Sequence, residues 1–314
     1  MLSLHGDLYV APLPKNPQHI LDCGTGTGIW ALDIGEVFPS AEVIGVDLSP
    51  IQPEWCVWRP PGRPVSVADT FPFSSCRVVP NVRFEVDDLD LDWTYRRDHF
   101  DFIHSRNIAQ SIRDWPKYLR QMYKRVSPAR RRYMAHPLTR SYCSHTKPGG
   151  YIELAEGSTS LCCNDGTFTG SALESYLAKL RAALQVAGFT LPTGEALKAF
   201  VEDAGFVDVQ LHPIKQPWGA WPKDPEMKKV GQIIALTCAT GLEVRLPPSS
   251  ANLSPALTRD VTKSYGMAPL TRYLGMKPEQ VLAECAESLA EVNSCKVHAY
   301  QLMLHVVGRK PEGN

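Results

Sequence analysis

One stretch of sequence constrains this chain more than any other. Between residues 19 and 34 an apolar run enters three glycines spaced two apart, and a second apolar run leaves them. His19-Ile20-Leu21-Asp22-Cys23 reads as a short buried parallel strand. Gly24-Thr25-Gly26-Thr27-Gly28 must then turn, and the apolar spacing from Ile29 to Ile34 fits a helix ending near Phe38-Pro39. Ala41 to Val46 reads as a second strand with Asp47 at its carboxyl end. Strand, glycine turn, helix, strand and acid in that order open a doubly wound α/β sheet.

The rest of the chain continues the pattern. Val82–Val86 reads as a third strand, followed by the acidic run from Asp87 to Asp92, and Phe100–His104 as a fourth. Trp115–Arg125 is an amphipathic helix. Lys147-Pro148-Gly149-Gly150 reads as a turn before a fifth strand at Tyr151–Leu154. Helices are expected at Ser171–Ala187 and Gly194–Ala204. Strands follow at Val207–Leu211 and, last, Val297–Val307. The 314 residues suit one large domain or two small ones.

Composition removes several function classes. The 33 basic residues balance 33 acidic ones, so there is no cationic excess for phosphate neutralisation and nucleic acid is not the expected partner. A hydrophobic share of 44% excludes a disordered chain. No apolar stretch reaches the roughly 18 residues of a membrane span, and the first residues carry no signal-peptide pattern. The expected location is therefore the cytoplasm. Nine cysteines, an odd number, suit free thiols. Cys143, His145 and His136 lack the defined four-ligand spacing of structural zinc, so no metal is expected.

The glycine turn points to a ligand. A dinucleotide fingerprint G-x-G-x-x-G starting at Gly24 requires glycine at position 29, where this chain has Ile29. The turn is instead D-x-G-x-G-x-G, from Asp22 to Gly28. An acid there repels a pyrophosphate but accepts a hydrogen bond from an ammonium group. The amino-acid end of S-adenosylmethionine offers that group. Asp47, 19 residues after Gly28, is placed for ribose hydroxyls, and Asp88, after the third strand, for an adenine amino group.

With those residues in place the chain resembles a class I S-adenosylmethionine-dependent methyltransferase, and more narrowly the fungal LaeA-like methyltransferases. The matching stretches run in order: PKNPQHILDCGTGTGIWALDI, AEVIGVDLSPIQPEW, PNVRFEVDDLDLDWTY, FDFIHSRNIAQSIRDW, KPGGYIELAE and KVHAYQLMLHVVGRKP. The resemblance implies a Rossmann-like seven-stranded sheet with helices on both faces and an antiparallel last strand. It implies S-adenosylmethionine as cofactor, held by Asp22, Gly24, Gly26, Gly28, Asp47, Asp88 and Arg106. It implies a small-molecule acceptor in fungal secondary metabolism. The alternative is a LaeA-like regulator in a nuclear protein complex. Members of this family carry helices before the first strand, where this chain has 18 residues.

One domain over residues 1–314 is expected, with insertions at 56–79, 127–146 and 244–264, where the chain departs from the family pattern. These stretches hold ten basic and two acidic residues, so the family-like remainder is acidic. They read as substrate or partner loops, as solvated insertions, or as translated introns. Arg130-Arg131-Arg132 is too short to argue for nuclear import, and the Asn252-Leu253-Ser254 sequon lacks a secretory context. On the acceptor side, His104 and Glu156 are the candidates for acid–base work, with Arg106 and Asn107 beside them. Trp30 reads as core.

Overall fold

A computed structural model describes residues 7–50, 79–123, 145–158, 160–189, 191–242 and 266–312. Eight strands and seven helices run in the order β1 (His19–Cys23), α1 (Ile29–Val37), β2 (Glu42–Asp47), β3 (Val82–Val86), β4 (Phe100–Arg106), α2 (Trp115–Met122), β5 (Thr146–Gly157), β6 (Cys162–Cys163), α3 (Ala172–Val186), α4 (Gly194–Ala204), β7 (Val207–Pro217), α5 (Pro225–Leu242), α6 (Met267–Leu274), α7 (Pro278–Ser294) and β8 (Ala299–Arg309).

The sheet order is β3-β2-β1-β4-β5-β8, with β7 on the far side of β8. Strands β1 to β5 are mutually parallel. The last strand, β8, is antiparallel to both β5 and β7, as expected. The sheet carries one strand beyond the seven expected: two-residue β6 pairs with β8 at Cys162↔Tyr300. Because β1–β4 all point the same way, their carboxyl ends gather Gly24, Asp47, Asp87 and Asn107 on one edge.

Alternation along the strands explains why both faces are covered. Leu21, Ile103, Ile152 and Val306 face α2 and α4, where Trp115, Tyr118, Leu119, Leu197 and Val201 are buried. Ile20, Phe102 and Val307 face the other way, against Trp30, Ala31 and Ile34 of α1. Leu8 to Leu13 pack on this second face. A third core joins α3, α5, α6 and α7 around Tyr176, Leu270 and Val281. Asn81 ties α1 to the sheet: its amide donates to the carbonyls of Gly35, Phe38 and Ala41.

Several boundaries differ from expectation. Lys147-Pro148-Gly149-Gly150 is not a turn. It lies inside β5, where Gly149 (φ +77°) and a register shift against β4 let the strand bulge and continue. Thr146, counted with an insertion, starts β5 and is fully buried. His145 and Val79, also counted with insertions, are buried too. The remainder of the three stretches, residues 56–78, 127–144 and 244–264, lies outside the described residues, as do Arg130–Arg132 and Asn252. Among the described residues no helix is long and apolar enough to cross a membrane, and the six cysteines are free.

Candidate active site

The glycine turn is fixed from beneath by a buried polar row. Asp22 is 3% exposed. One carboxylate oxygen accepts the Thr25 hydroxyl at 2.6 Å, and the other lies 2.8 Å from His104 Nδ1. The His104 ring stacks on Trp30, with centroids 3.7 Å apart and planes 6° apart. Next in register on β5 is Glu153, also fully buried. It accepts the backbone N–H groups of Val10 and Ala11 and faces His305 Nδ1 at 2.8 Å. Burial alone would push the Glu153 carboxyl up. The His305 hydrogen bond first, with the electrostatic influence of the His104 ring and the Val10 N–H, outweighs it and holds the carboxyl below its ordinary range. This row pins residues 8–11 under the sheet, and Trp30 Nε1 adds a bond to the Leu8 carbonyl at 2.9 Å.

All three glycines of the turn have positive φ, at +70°, +55° and +78° for Gly24, Gly26 and Gly28. Their reasons differ. A Cβ on Gly28 would meet Phe84 at 2.4 Å, so this glycine admits a β3 side chain against the start of α1. A Cβ on Gly26 would meet nothing within 4 Å, so here only the backbone conformation demands glycine. The Gly26 N–H donates to Asp47 at 2.9 Å, and the Ser49 N–H donates to the other Asp47 oxygen at 2.9 Å. The β2 acid thus clasps the β1 turn.

Two cavities open at this edge. The first is a cleft lined by Gly24, Asp47, Leu48, Asp87, Asp88, Ile108 and Ile112, among others, with an enclosed volume of about 100 Å³. It brings together Gly24, Asp47 and Asp88 of the sequence reading. One Asp88 oxygen accepts the Asp90 N–H at 2.9 Å. The apolar walls Leu48, Ile108 and Ile112 were not foreseen, because their position depends on how the chain leaves β2 and β4.

The second cavity, about 370 Å³, lies between the ends of β4 and β5, helices α3 and α5, and β8. Leu177, Leu180, Leu184 and Trp218 form its apolar wall, and Asn107, Gln110, Glu156, Arg181 and Gln301 supply polar groups. One segment lines both spaces. Ile108, Ser111 and Ile112 face the cleft, while Asn107, Ala109 and Gln110 face the larger cavity. Asn107 begins this segment in the left-handed region (φ +55°), a conformation that asparagine tolerates better than most residues.

Glu156 holds that segment. Its two oxygens accept the N–H groups of Ile108 at 2.9 Å and Ala109 at 3.2 Å. Burial raises its carboxyl to about 7, against the pull of those two N–H groups. Of the two acid–base candidates, Glu156 therefore reaches the larger cavity. His104 lines neither space, because it is buried between Asp22 and Trp30. Asp22, Gly26 and Gly28 also lie outside the lining of the cleft. Arg106 closes β4, half-buried, and lines neither cavity. Of the rejected zinc set, His136 and Cys143 lie outside the described residues, and His145 Nδ1 is 3.1 Å from the Arg96 carbonyl.

Known proteins resemble this chain over most of its length. The methyltransferase domain family matches residues 7–211. "Methyltransferase pytC" of Aspergillus terreus is 32% identical over 313 residues, covering 98% of this chain and 76% of that protein. "Secondary metabolism regulator LAE1" of Cochliobolus heterostrophus is 30% identical, covering 99% and 83%. "Protein-methionine methyltransferase laeA" of Emericella nidulans is 26% identical, covering 97% and 65%. Among solved structures, coclaurine N-methyltransferase bound to N-methylheliamine and SAH is 13% identical at a TM-score of 0.47, covering 99% of this chain and 72% of that one. A glycine turn clasped by the β2 acid, beside two cavities that share one wall, is thus found in a chain that belongs to the methyltransferase domain family.

Proposed function

We infer that this chain transfers a methyl group from S-adenosylmethionine to a small molecule held in the 370 Å³ cavity. One observation carries the reading: residues 107–112 line both the cleft at the glycine turn and the larger cavity. Methyl transfer needs donor and acceptor in line and shielded from water, which neighbouring spaces can supply.

The residues present fit the cofactor. When bound, S-adenosylmethionine supplies a methyl on a positively charged sulfur with a good, neutral leaving group. Asp47 uses one acceptor site on each oxygen for the turn, so each oxygen keeps capacity for a ribose hydroxyl. Asp88 at the third strand suits an exocyclic amine, and Leu48, Ile108 and Ile112 offer apolar surface to a purine. The enclosed part of the cleft has room for a ring rather than the whole cofactor. Asp22 acts by holding Thr25 and His104, and so keeps the turn's shape. Glu156, with its carboxyl raised to about 7, can take a proton from an acceptor hydroxyl near neutral pH.

The relatives favour a place in fungal secondary metabolism, and the LAE1 match keeps a second reading open. In that reading the chain is a regulator in a nuclear complex and its methyl acceptor is a protein. Methyl-labelled S-adenosylmethionine, incubated with the protein and a fungal extract, tests the choice. Label in the solvent-extractable fraction is expected. Label confined to protein would overturn the small-molecule reading in favour of the second.

A further inference from the structure

The opposite, amino edge of the sheet carries a cluster that methyl transfer does not use. His19 opens β1, Glu42 opens β2, and His99 immediately precedes β4. These three strands are neighbours in the order β2-β1-β4, so residues far apart in sequence arrive side by side. One ligand atom from each of His19, Glu42 and His99 lies within 4.8 Å of the others. The two imidazoles have ring centroids 4.1 Å apart.

We propose that His19, Glu42 and His99 bind a divalent transition-metal ion, of the zinc, nickel or cobalt class, that staples three strand ends together. The chemistry of the donors sets the class: two imidazoles and one carboxylate suit borderline ions rather than magnesium or calcium. Two of the donors, Glu42 and His19, have neighbours that constrain them. Glu42 Oε1 faces Arg83 Nη1 at 3.1 Å, which leaves Oε2 toward His19 Nε2 at 3.9 Å. His19 Nδ1 accepts from Lys147 Nζ at 3.3 Å, with Asp101 Oδ2 3.8 Å away, so a metal at Nε2 requires the tautomer whose Nδ1–H turns to Asp101. Lys147 is itself neutralised by Asp101, at 2.8 and 2.9 Å. Among the described residues the His99 ring has no hydrogen-bond partner.

Distance does not forbid closure. Metal–nitrogen bonds of about 2.0–2.1 Å at a tetrahedral angle put ligand atoms roughly 3.4 Å apart. The three donors must each move by about an ångström or less, within the reach of side-chain rotation. The alternative is a polar cluster of the same side chains that holds no metal.

Calorimetry separates the two. Protein carrying no polyhistidine tag and stripped with a chelator is titrated with Ni²⁺ and, separately, Zn²⁺. One ion per chain is expected, with affinity falling about tenfold or more in both His99→Ala and Glu42→Gln. His298→Ala, at a histidine far from the cluster, should bind as the wild type does. The metal should also raise the wild-type thermal midpoint and leave that of His99→Ala unmoved, a readout independent of methyl transfer. Either no heat of binding to the wild type or equal affinity in all variants overturns the proposal. The Glu42→Gln arm still decides the question if His99→Ala fails to fold.

Discussion

Replacing Glu156 with glutamine should flatten a pH dependence that the wild-type fold carries. The carboxyl is 3% exposed and is raised from an ordinary value of 4.5 to about 7 by burial. A raised acid means that the native state holds the proton more tightly than the unfolded chain. Below pH 4.5 both states are protonated and the group costs nothing. Between pH 4.5 and 7 the unfolded chain releases the proton first, so stability falls as pH rises. Above pH 7 the loss is nearly complete, at about 3 kcal/mol. Glutamine cannot ionise. It keeps an acceptor for one of the two backbone N–H groups and loses the other, a constant penalty of about 1–3 kcal/mol. Denaturant unfolding of wild type and Glu156→Gln at several pH values between 4.5 and 7.5 isolates the effect, because other titrating groups cancel in the difference. The wild type should lose stability relative to the variant as pH rises, by about 3 kcal/mol across the window. A pH-independent difference would falsify the argument that this carboxyl is buried at a cost.

The glycine turn and the buried row give further expectations. Gly28→Ala combines a positive φ with a Cβ 2.4 Å from Phe84, whereas Gly26→Ala meets open space. The first should destabilise by about 2–4 kcal/mol and the second by about 1–2 kcal/mol in urea unfolding, and a reversed order would refute the packing explanation. Glu153→Ala should cost about 3–5 kcal/mol, because His305 and two backbone N–H groups lose their buried acceptor. It should also free residues 7–13, read as faster proteolysis near the amino terminus. Unchanged protection there would show that packing alone holds the segment.

Local patterns made most of the sheet legible. β1, β3 and α4 begin and end where apolar runs and glycine stops place them, since those signals are contained within each segment. The Lys147–Gly150 stretch misled because Pro-Gly-Gly ordinarily marks a turn, while the strand needed only a bulge. Gly24, Asp47 and Asp88 were legible as a set because three parallel strands end on one edge. The pairing of Asp22 with His104 and of Glu153 with His305 was not. Those partners lie 82 and 152 residues apart and meet only through register. The same holds for the trio His19, Glu42 and His99, whose spacing matches no metal motif and whose proximity follows from strand order alone. The role of Glu156 was half legible: its place at the end of β5 was expected, but its grip on residues 108 and 109 depends on a loop that no periodicity describes.

The most direct test of the account is calorimetric titration of the full chain with S-adenosylmethionine, alongside Asp47→Ala. Asp47 both clasps the turn through Gly26 and faces the cleft, so it is the residue on which the cofactor reading rests. One molecule should bind per wild-type chain, with binding weakened about tenfold or more in the variant, the loss of roughly one charge-assisted hydrogen bond. Absence of binding to the folded wild type, or equal binding by Asp47→Ala, would contradict the assignment of this cleft to the cofactor.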